Sequence, residues 1–443
     1  MILFILPGIG LVCYVILSQL LARRRLEKLS NTMQMRDNPF LMEQKRHMQE
    51  GDFHFVNTQA AKWWQTIRFN QEYASAYLTQ NNDIRLFTKG QECFDSMLED
   101  IRAAKNTINM EFFIMKPDRI GLGLIEALTK KAEEGLKVRL LLDAMGCRQM
   151  RQRHFKALRR AGGQVVYFFP AKIFKFDLKL NYRNHRKLLI IDNDIAYIGG
   201  LNAATEYVGE SERFKDWRDT HLRIRGGSVY DMDLRFIMDW NFANKQEIEL
   251  SPLDYPVDTQ EDNAVQIISS GPESPETEIK FAYLKLISSA KRSICLQTPY
   301  MVPDESIFEA LKTAALAGVD VRIMIPPMPD HPFVYWVTYQ NVGELAKYGA
   351  KIYIYNRGFL HAKTITVDDE ASSVGSANFD IRSFELNFEC NAFVYSRDFA
   401  MQLREAFEED IKDSTRLTTE MYEARSRWIK IKESVSRLLT DIL

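Results

Sequence analysis

Cysteine is scarce and unorganised in this 443-residue chain: five residues, at 13, 93, 147, 295 and 390, with no C-x-x-C spacing. An odd, scattered set argues against a disulfide framework and a structural zinc site, and it fits thiols in a reducing compartment. Histidine is nearly as scarce. Its seven positions form no obvious metal cluster, and no set of carboxylates has the spacing of a metal site, so neither metal nor cofactor is expected. Net charge is also lacking, because 58 basic and 59 acidic residues leave a formal charge of −1. Whole-molecule attraction to nucleic acid is not expected, and any affinity for phosphate must be local. Gly121-Leu122-Gly123 lacks the third glycine of a dinucleotide fingerprint.

What the chain does have is apolar material: 46% hydrophobic and 12% aromatic residues, enough for two or three cored domains. The longest apolar run is at the start. From Ile2 to Ala22 the only strongly polar side chains are Ser18 and Gln19, and Arg23, Arg24, Arg25 and Lys28 follow. That length suits one bilayer crossing as a helix. A secretory signal would carry positive charge before the run, and Met1–Pro7 has none, so the reading is an uncleaved anchor. The positive-inside rule puts the catalytic body on the cytoplasmic face of the cell membrane. The alternative is a buried or interfacial helix broken near Pro7, Gly8 and Gly10. Residues 26–82 read as a juxtamembrane linker, where Trp63 and Trp64 beside Lys62 and Arg68 suit either the headgroup zone or packing on the main body.

Beyond residue 82 strands alternate with helices. Strands are expected at 107–114, 138–143 and 165–169, helices at 121–134 and 154–161, and a hairpin at 187–192 with 195–198. The second half retraces the first: Ala104-Lys105-Asn106-Thr107-Ile108 matches Ala290-Lys291-Arg292-Ser293-Ile294, and Gly135–Arg139 matches Gly318–Arg322. The repeat is a whole α/β domain, so the expected units are 83–255 and 264–443, with Pro252 and Pro256 in the join. Lysines mixed with large apolar residues over 171–180 read as a lipid-touching loop or an amphipathic connector. The charged stretch Arg425–Lys432 reads as a helix with a solvated face.

One pattern occurs twice with identical spacing. His185-Arg186-Lys187 is followed by Asp192, Gly199, Gly200 and Asn202, and His361-Ala362-Lys363 by Asp368, Gly375, Ser376 and Asn378. If each His and Lys lie on one strand, both point to the same face. An imidazole can attack phosphorus or carry a proton near neutral pH. Lys187, Lys363, Asn202 and Asn378 would stabilise charge on the equatorial oxygens of a phosphodiester. Each imidazole needs an orienting carboxylate, and Asp219 and Glu389 are the candidates. Asp192 and Asp368 belong to the motif and are carried with the catalytic set. A structural role is open for them, since five residues beyond Lys is far along a strand. His221 reads as a core histidine or one supporting the site.

These motifs resemble the phospholipase D superfamily. The flanks Trp217–Ile224, Gln297–Glu305, Gly375–Asp380, Arg382–Glu389 and Arg437–Thr440 resemble bacterial cardiolipin synthases, and the likeness runs over about residues 80–443. The resemblance implies two similar α/β domains with the site at their interface. It also implies transfer of a phosphatidyl group between two phosphatidylglycerol molecules through a phosphatidyl-histidine, with phosphodiester hydrolysis the alternative. By that analogy His185 is the nucleophile and His361 the acid/base, an order the sequence leaves open. Ser376 is a helper at the phosphate. The family commonly has two N-terminal spans where this chain shows one, and the resemblance leaves the oligomeric state unstated.

Overall fold

The computed structural model describes residues 39–438 apart from 170–181, 245–247, 249–258 and positions 275, 329 and 331. The expected anchor at 1–25, the connector at 171–180 and the Pro252/Pro256 stretch lie outside the described residues. Among the described residues no helix is long and apolar enough to cross a membrane.

Each half is an α/β layer built on one plan. In the first, the apolar strand Lys137–Asp143 lies parallel between Thr107–Phe112 and Gln164–Phe168. Parallel neighbours need a crossover, supplied between the first two by the helix Arg119–Glu133, whose N-cap Asp118 accepts from Gly121 N at 3.1 Å. The expected hairpin forms: Lys187–Ile191 pairs antiparallel with Ile195–Gly199. His221–Gly226 and Asn82–Phe87 complete a seven-stranded sheet. The second half repeats this order through Ala264–Ser270, Asn387–Tyr395, Ala371–Gly375, Thr364–Val367, Ser293–Gln297, Asp320–Ile325 and Lys351–Tyr355. The strand expected at 107–114 ends at Phe112, and the helix expected at 154–161 is a 3₁₀ turn over Gln152–Phe155 followed by Lys156–Arg160.

The halves share one core. Leu188, Ile190 and Ile198 of the first sheet bury against the same apolar cluster as Val265, Val374 and Ala392 of the second. Burial of this kind, at about 25 cal/mol per Å², fixes the relative placement of the sheets.

The segment expected to be a linker at 26–82 is built into the second half from residue 39 onward. Leu78–Thr79 adds a strand against Val265 and Gln266, and Gln266 Nε2 donates to Ile67 O at 3.0 Å and Ala76 O at 2.9 Å. Trp63 is 6% exposed within the core of the second half, whereas Trp64 is 44% exposed. Of the two readings for this pair, packing describes Trp63. A lone Ile or Trp in a charged stretch gives no periodic signal, which is why its partners were not legible. Ile67→Ala should therefore cost about 2–4 kcal/mol in denaturant unfolding. A solvated linker would lose less than about 0.5 kcal/mol.

Candidate active site

The two histidines are held by an exchange between the halves. Arg183–Asn184 pairs in parallel with Asn387–Phe388, and Phe359–Leu360 pairs with Trp217–Arg218. His185 N donates to Phe388 O at 2.9 Å and His361 N to Arg218 O at 2.7 Å. Neither histidine lies on the strand that follows it, contrary to the expectation that each shares one strand with its lysine. The strands begin at Lys187 and Thr364, after the cross-half bonds have already fixed the histidine backbone.

The orienting carboxylates cross in the same way. His185 Nδ1 lies 2.9 Å from Glu389 Oε1 and 3.0 Å from Oε2, and His361 Nδ1 lies 2.6 Å from Asp219 Oδ2. With Nδ1–H donated to the carboxylate, Nε2 of each ring is left for chemistry at the cavity both histidines line. Phe113 packs edge-on to His185 at 4.8 Å between ring centres, and Trp217 lies 5.2 Å from His361, so neither ring is free to turn.

Burial sets the charge states. It pushes His185 down to about 4 against the pull of Glu389, aided by the Lys187 charge. His361 is lowered by burial and then by Lys363, with Asp219 opposing. Burial drives Lys187 to about 7 and Lys363 to about 8, each opposed by the nearby carboxylates. For Asp219, burial acts upward, but His361 and Lys363 hold the carboxyl below its usual range. Glu389 is likewise pushed up by burial and held low overall by His185, Lys187 and Ser376. At neutral pH each pair is thus a neutral imidazole donating to a carboxylate.

Lys187 Nζ donates to the carbonyl of His185, and Lys363 Nζ to that of His361 at 2.5 Å, so each ammonium sits beneath its own histidine. Asn202 and Asn378 both line the cavity. Asn202 is already engaged, accepting from Ile114 N at 3.1 Å and donating to Tyr207 Oη at 2.7 Å. Asn378 Oδ1 is buried without a partner among the described residues.

Three expected site residues do other work. Asp192 accepts from the amides of Lys105, Asn106 and Thr107 at 2.7–2.8 Å, and Asp368 from Lys291, Arg292 and Ser293 at 2.7–2.9 Å. Both sit in the hairpin turn with φ of 54° and 55°, a conformation Asp tolerates, and neither lines the cavity. Ser376 Oγ donates to Glu389 Oε2 at 2.5 Å and so braces a carboxylate. Its counterpart Gly200 has no room for a side chain, because a Cβ there would lie 2.0 Å from Asp219 Oδ1. His221 is a fully buried core histidine, driven by burial to about 3.

Two buried arginines were missed. Arg186, the middle residue of the first motif, bonds Asp239 at 2.6 Å, Ser270 O at 3.1 Å and the carbonyl of Glu389 at 3.1 Å. Arg218 bonds Asp410 at 2.9 Å and the carbonyl of Asp219 at 2.5 Å. Each clamps an orienting residue from behind while bridging the halves. The available signal was an Arg adjacent to a site residue in an apolar context. Among the described residues His47, Glu50 and Asp52 lie within reach of one metal ion. That group is outside the cavity, and Arg46 holds Glu50 at 2.6 Å.

The cavity encloses about 920 Å³. Its wall carries Arg148, Arg183 and Arg382 in addition to the histidines, and Phe333, Val334 and Val337 give it an apolar side.

The same fold occurs in the crystal structure of a phosphatidylserine synthase from Haemophilus influenzae, with a TM-score of 0.67 at 15% identity over 85% of this chain and 98% of that one. A phospholipase D-like class is what this arrangement defines. The family model described as the phospholipase D-like domain of cardiolipin synthase matches residues 97–212 and 283–411. The major cardiolipin synthase of Bacillus subtilis is 44% identical over 445 residues, covering 100% of this chain and 92% of that protein. A Listeria welshimeri cardiolipin synthase is 45% identical with the same coverage. The chain belongs to the cardiolipin synthase family.

Asp192→Ala should lower stability by about 1–3 kcal/mol yet keep turnover per folded molecule. Asp219→Asn should keep stability more nearly and lower kcat roughly 10²–10⁴-fold, by analogy with loss of an imidazole's orienting carboxylate. Unfolding curves and kcat on the same preparations separate the two.

Proposed function

We propose that the chain is a membrane-bound phosphatidyltransferase that makes cardiolipin from two phosphatidylglycerol molecules and releases glycerol. The observation that carries this is the pair of histidines, each held at Nδ1 by a carboxylate of the other half and each facing one cavity. His185, neutral down to about pH 4, attacks phosphorus through Nε2. The bound phosphodiester anion raises His361 so that its Nε2 takes up a proton, and the P–O bond to the glycerol headgroup breaks as His361 gives that proton to the leaving oxygen. His361 then takes the proton from a hydroxyl of the second phosphatidylglycerol. That oxygen attacks phosphorus, the P–N bond breaks and cardiolipin leaves. Lys187, Lys363, Asn202 and Asn378 hold the equatorial oxygens throughout.

Hydrolysis is the competing outcome, since water also attacks such an intermediate. Transfer is favoured by the further cations of the cavity. Arg183 and Arg382 come from different halves and both line the cavity. They suit the phosphate of the acceptor lipid. On this reading the body works at the cytoplasmic face of a membrane, held by the apolar segment before Arg23.

Detergent-solubilised protein given labelled phosphatidylglycerol without divalent metal should yield cardiolipin and glycerol. Recovery of phosphatidic acid alone would sink the proposal. His185→Ala and His361→Ala should each lower turnover by roughly a thousandfold or more, because the pair acts as a unit. Arg183→Gln should cut the ratio of cardiolipin to phosphatidic acid by about tenfold.

The pH profile follows from the lysines. Burial leaves Lys187 at about 7 and Lys363 at about 8 in the empty cavity, so kcat/KM should fall as pH rises through 7–8 and these cations are lost. A bound phosphodiester anion raises both, so the alkaline limb of kcat should lie at higher pH than that of kcat/KM. Coincident limbs would show that these lysines do not meet the phosphate.

A further inference from the structure

The C-terminal helix Arg427–Arg437 is turned inside out. Beside the half-buried Ile429, its inward side chains are polar: Glu433, 2% exposed and bonded to Arg425 at 2.9–3.0 Å, and Ser436, 1% exposed. Its large apolar side chains face out, with Trp428 69%, Ile431 49%, Val435 48% and Leu438 just beyond its end 79% exposed. Their spacing of three, four and three residues makes one stripe. The solvated face expected at Arg425–Lys432 is present, with Arg427, Lys430 and Lys432 exposed, and Trp428 and Ile431 share it. Arg427, Lys430, Lys432 and Arg437 are exposed around the stripe, and the helix's one acid is the buried Glu433.

We infer that this stripe docks on an anionic lipid bilayer, with Trp428 and Leu438 in the acyl boundary and the cations at the headgroups. Apolar side chains outward, flanked only by positive charge, are the composition of an interfacial helix. The charge also decides between occupants. A second copy would bring the same cations face to face, and the segment before residue 39 carries Arg23, Arg24 and Arg25 of like sign. The position fits as well. The helix packs along Pro332–Lys347, with Lys432 Nζ 4.7 Å from the Trp336 ring, and Phe333 of that neighbour is half exposed and lines the catalytic cavity. Docking the stripe brings a helix of the cavity wall close to the membrane. This surface is separate from the N-terminal segment and does not depend on which acceptor the enzyme uses.

The test uses the full-length chain on vesicles of phosphatidylglycerol and phosphatidylcholine brominated near the glycerol end of the acyl chains. Tryptophan emission of the unaltered chain should be quenched and blue-shifted, and Trp428→Phe should remove that component. The double variant Lys430→Gln/Lys432→Gln should lower the bilayer affinity read from Trp428 quenching by about thirtyfold, at roughly 1 kcal/mol per cation at an anionic surface. Equal quenching with and without Trp428 would overturn the inference. So would a halved particle mass in detergent for Ile431→Ser/Val435→Ser, which would assign the stripe to a second copy.

Discussion

Everything at the centre of this protein depends on exchange between its halves. The backbone of each histidine is bonded to the residue that precedes the other half's carboxylate, and its ring is bonded to that carboxylate. Neither half owns a complete imidazole–carboxylate pair. A site of this kind exists only when two sheets are held in one register. The shared apolar core, the buried Arg218–Asp410 pair and the bonds from Arg186 to the carbonyls of Ser270 and Glu389 supply that register. Buried ion pairs are weak sources of net stability, since desolvation offsets most of the Coulomb gain. Their worth here is positional: each guanidinium also holds the carbonyl of an orienting residue.

The doubled motif was legible because its chemistry needs specific residue types at fixed spacing. The α/β repeat was legible because buried parallel strands read as apolar runs bounded by helices. What was not legible depends on tertiary pairing. No local pattern says that Glu389 belongs to His185 rather than to His361, or that Asp192 turns its carboxylate toward the amides of residues 105–107. Trp63 and Ile67 gave no alternation to read, and their place in the second half's core rests on packing against the helix Glu278–Ser288 and on the bond from Gln266 to Ile67 O. The apolar stripe of the C-terminal helix was not legible for a related reason. Charge counts describe a segment, whereas exposure depends on which face its neighbours cover, and here Arg425 draws Glu433 inward.

The electrostatics of the empty site are balanced rather than strongly positive. Two lysines face two carboxylates, both carboxylates are held ionised, and burial lowers every cation. An anion entering such a site changes the state of its hosts. It raises the lysines and both imidazoles together, so the phosphodiester helps to create the positive field that holds it. The near-zero charge of the whole chain is consistent with this, because attraction to phosphate has to come from local groups of cations.

The frame is symmetric but its two ends are not, and the difference has a direction. Asp219 is the shorter carboxylate. It reaches His361 at 2.6 Å because Gly200 leaves the space a Cβ would fill. Glu389 is longer, tolerates Ser376 at the matching position, and shares its oxygens among His185, Ser376 and Asn387. An anion that accepts several hydrogen bonds has less charge to offer any one of them. His185 therefore faces the more diluted carboxylate and keeps the neutral form an attacking nitrogen requires. His361, with the closer partner, is the better placed to hold a proton once substrate charge arrives. The substitution of serine for glycine in the second copy thus supports, on the proposed reading, a division of labour between two otherwise matching halves.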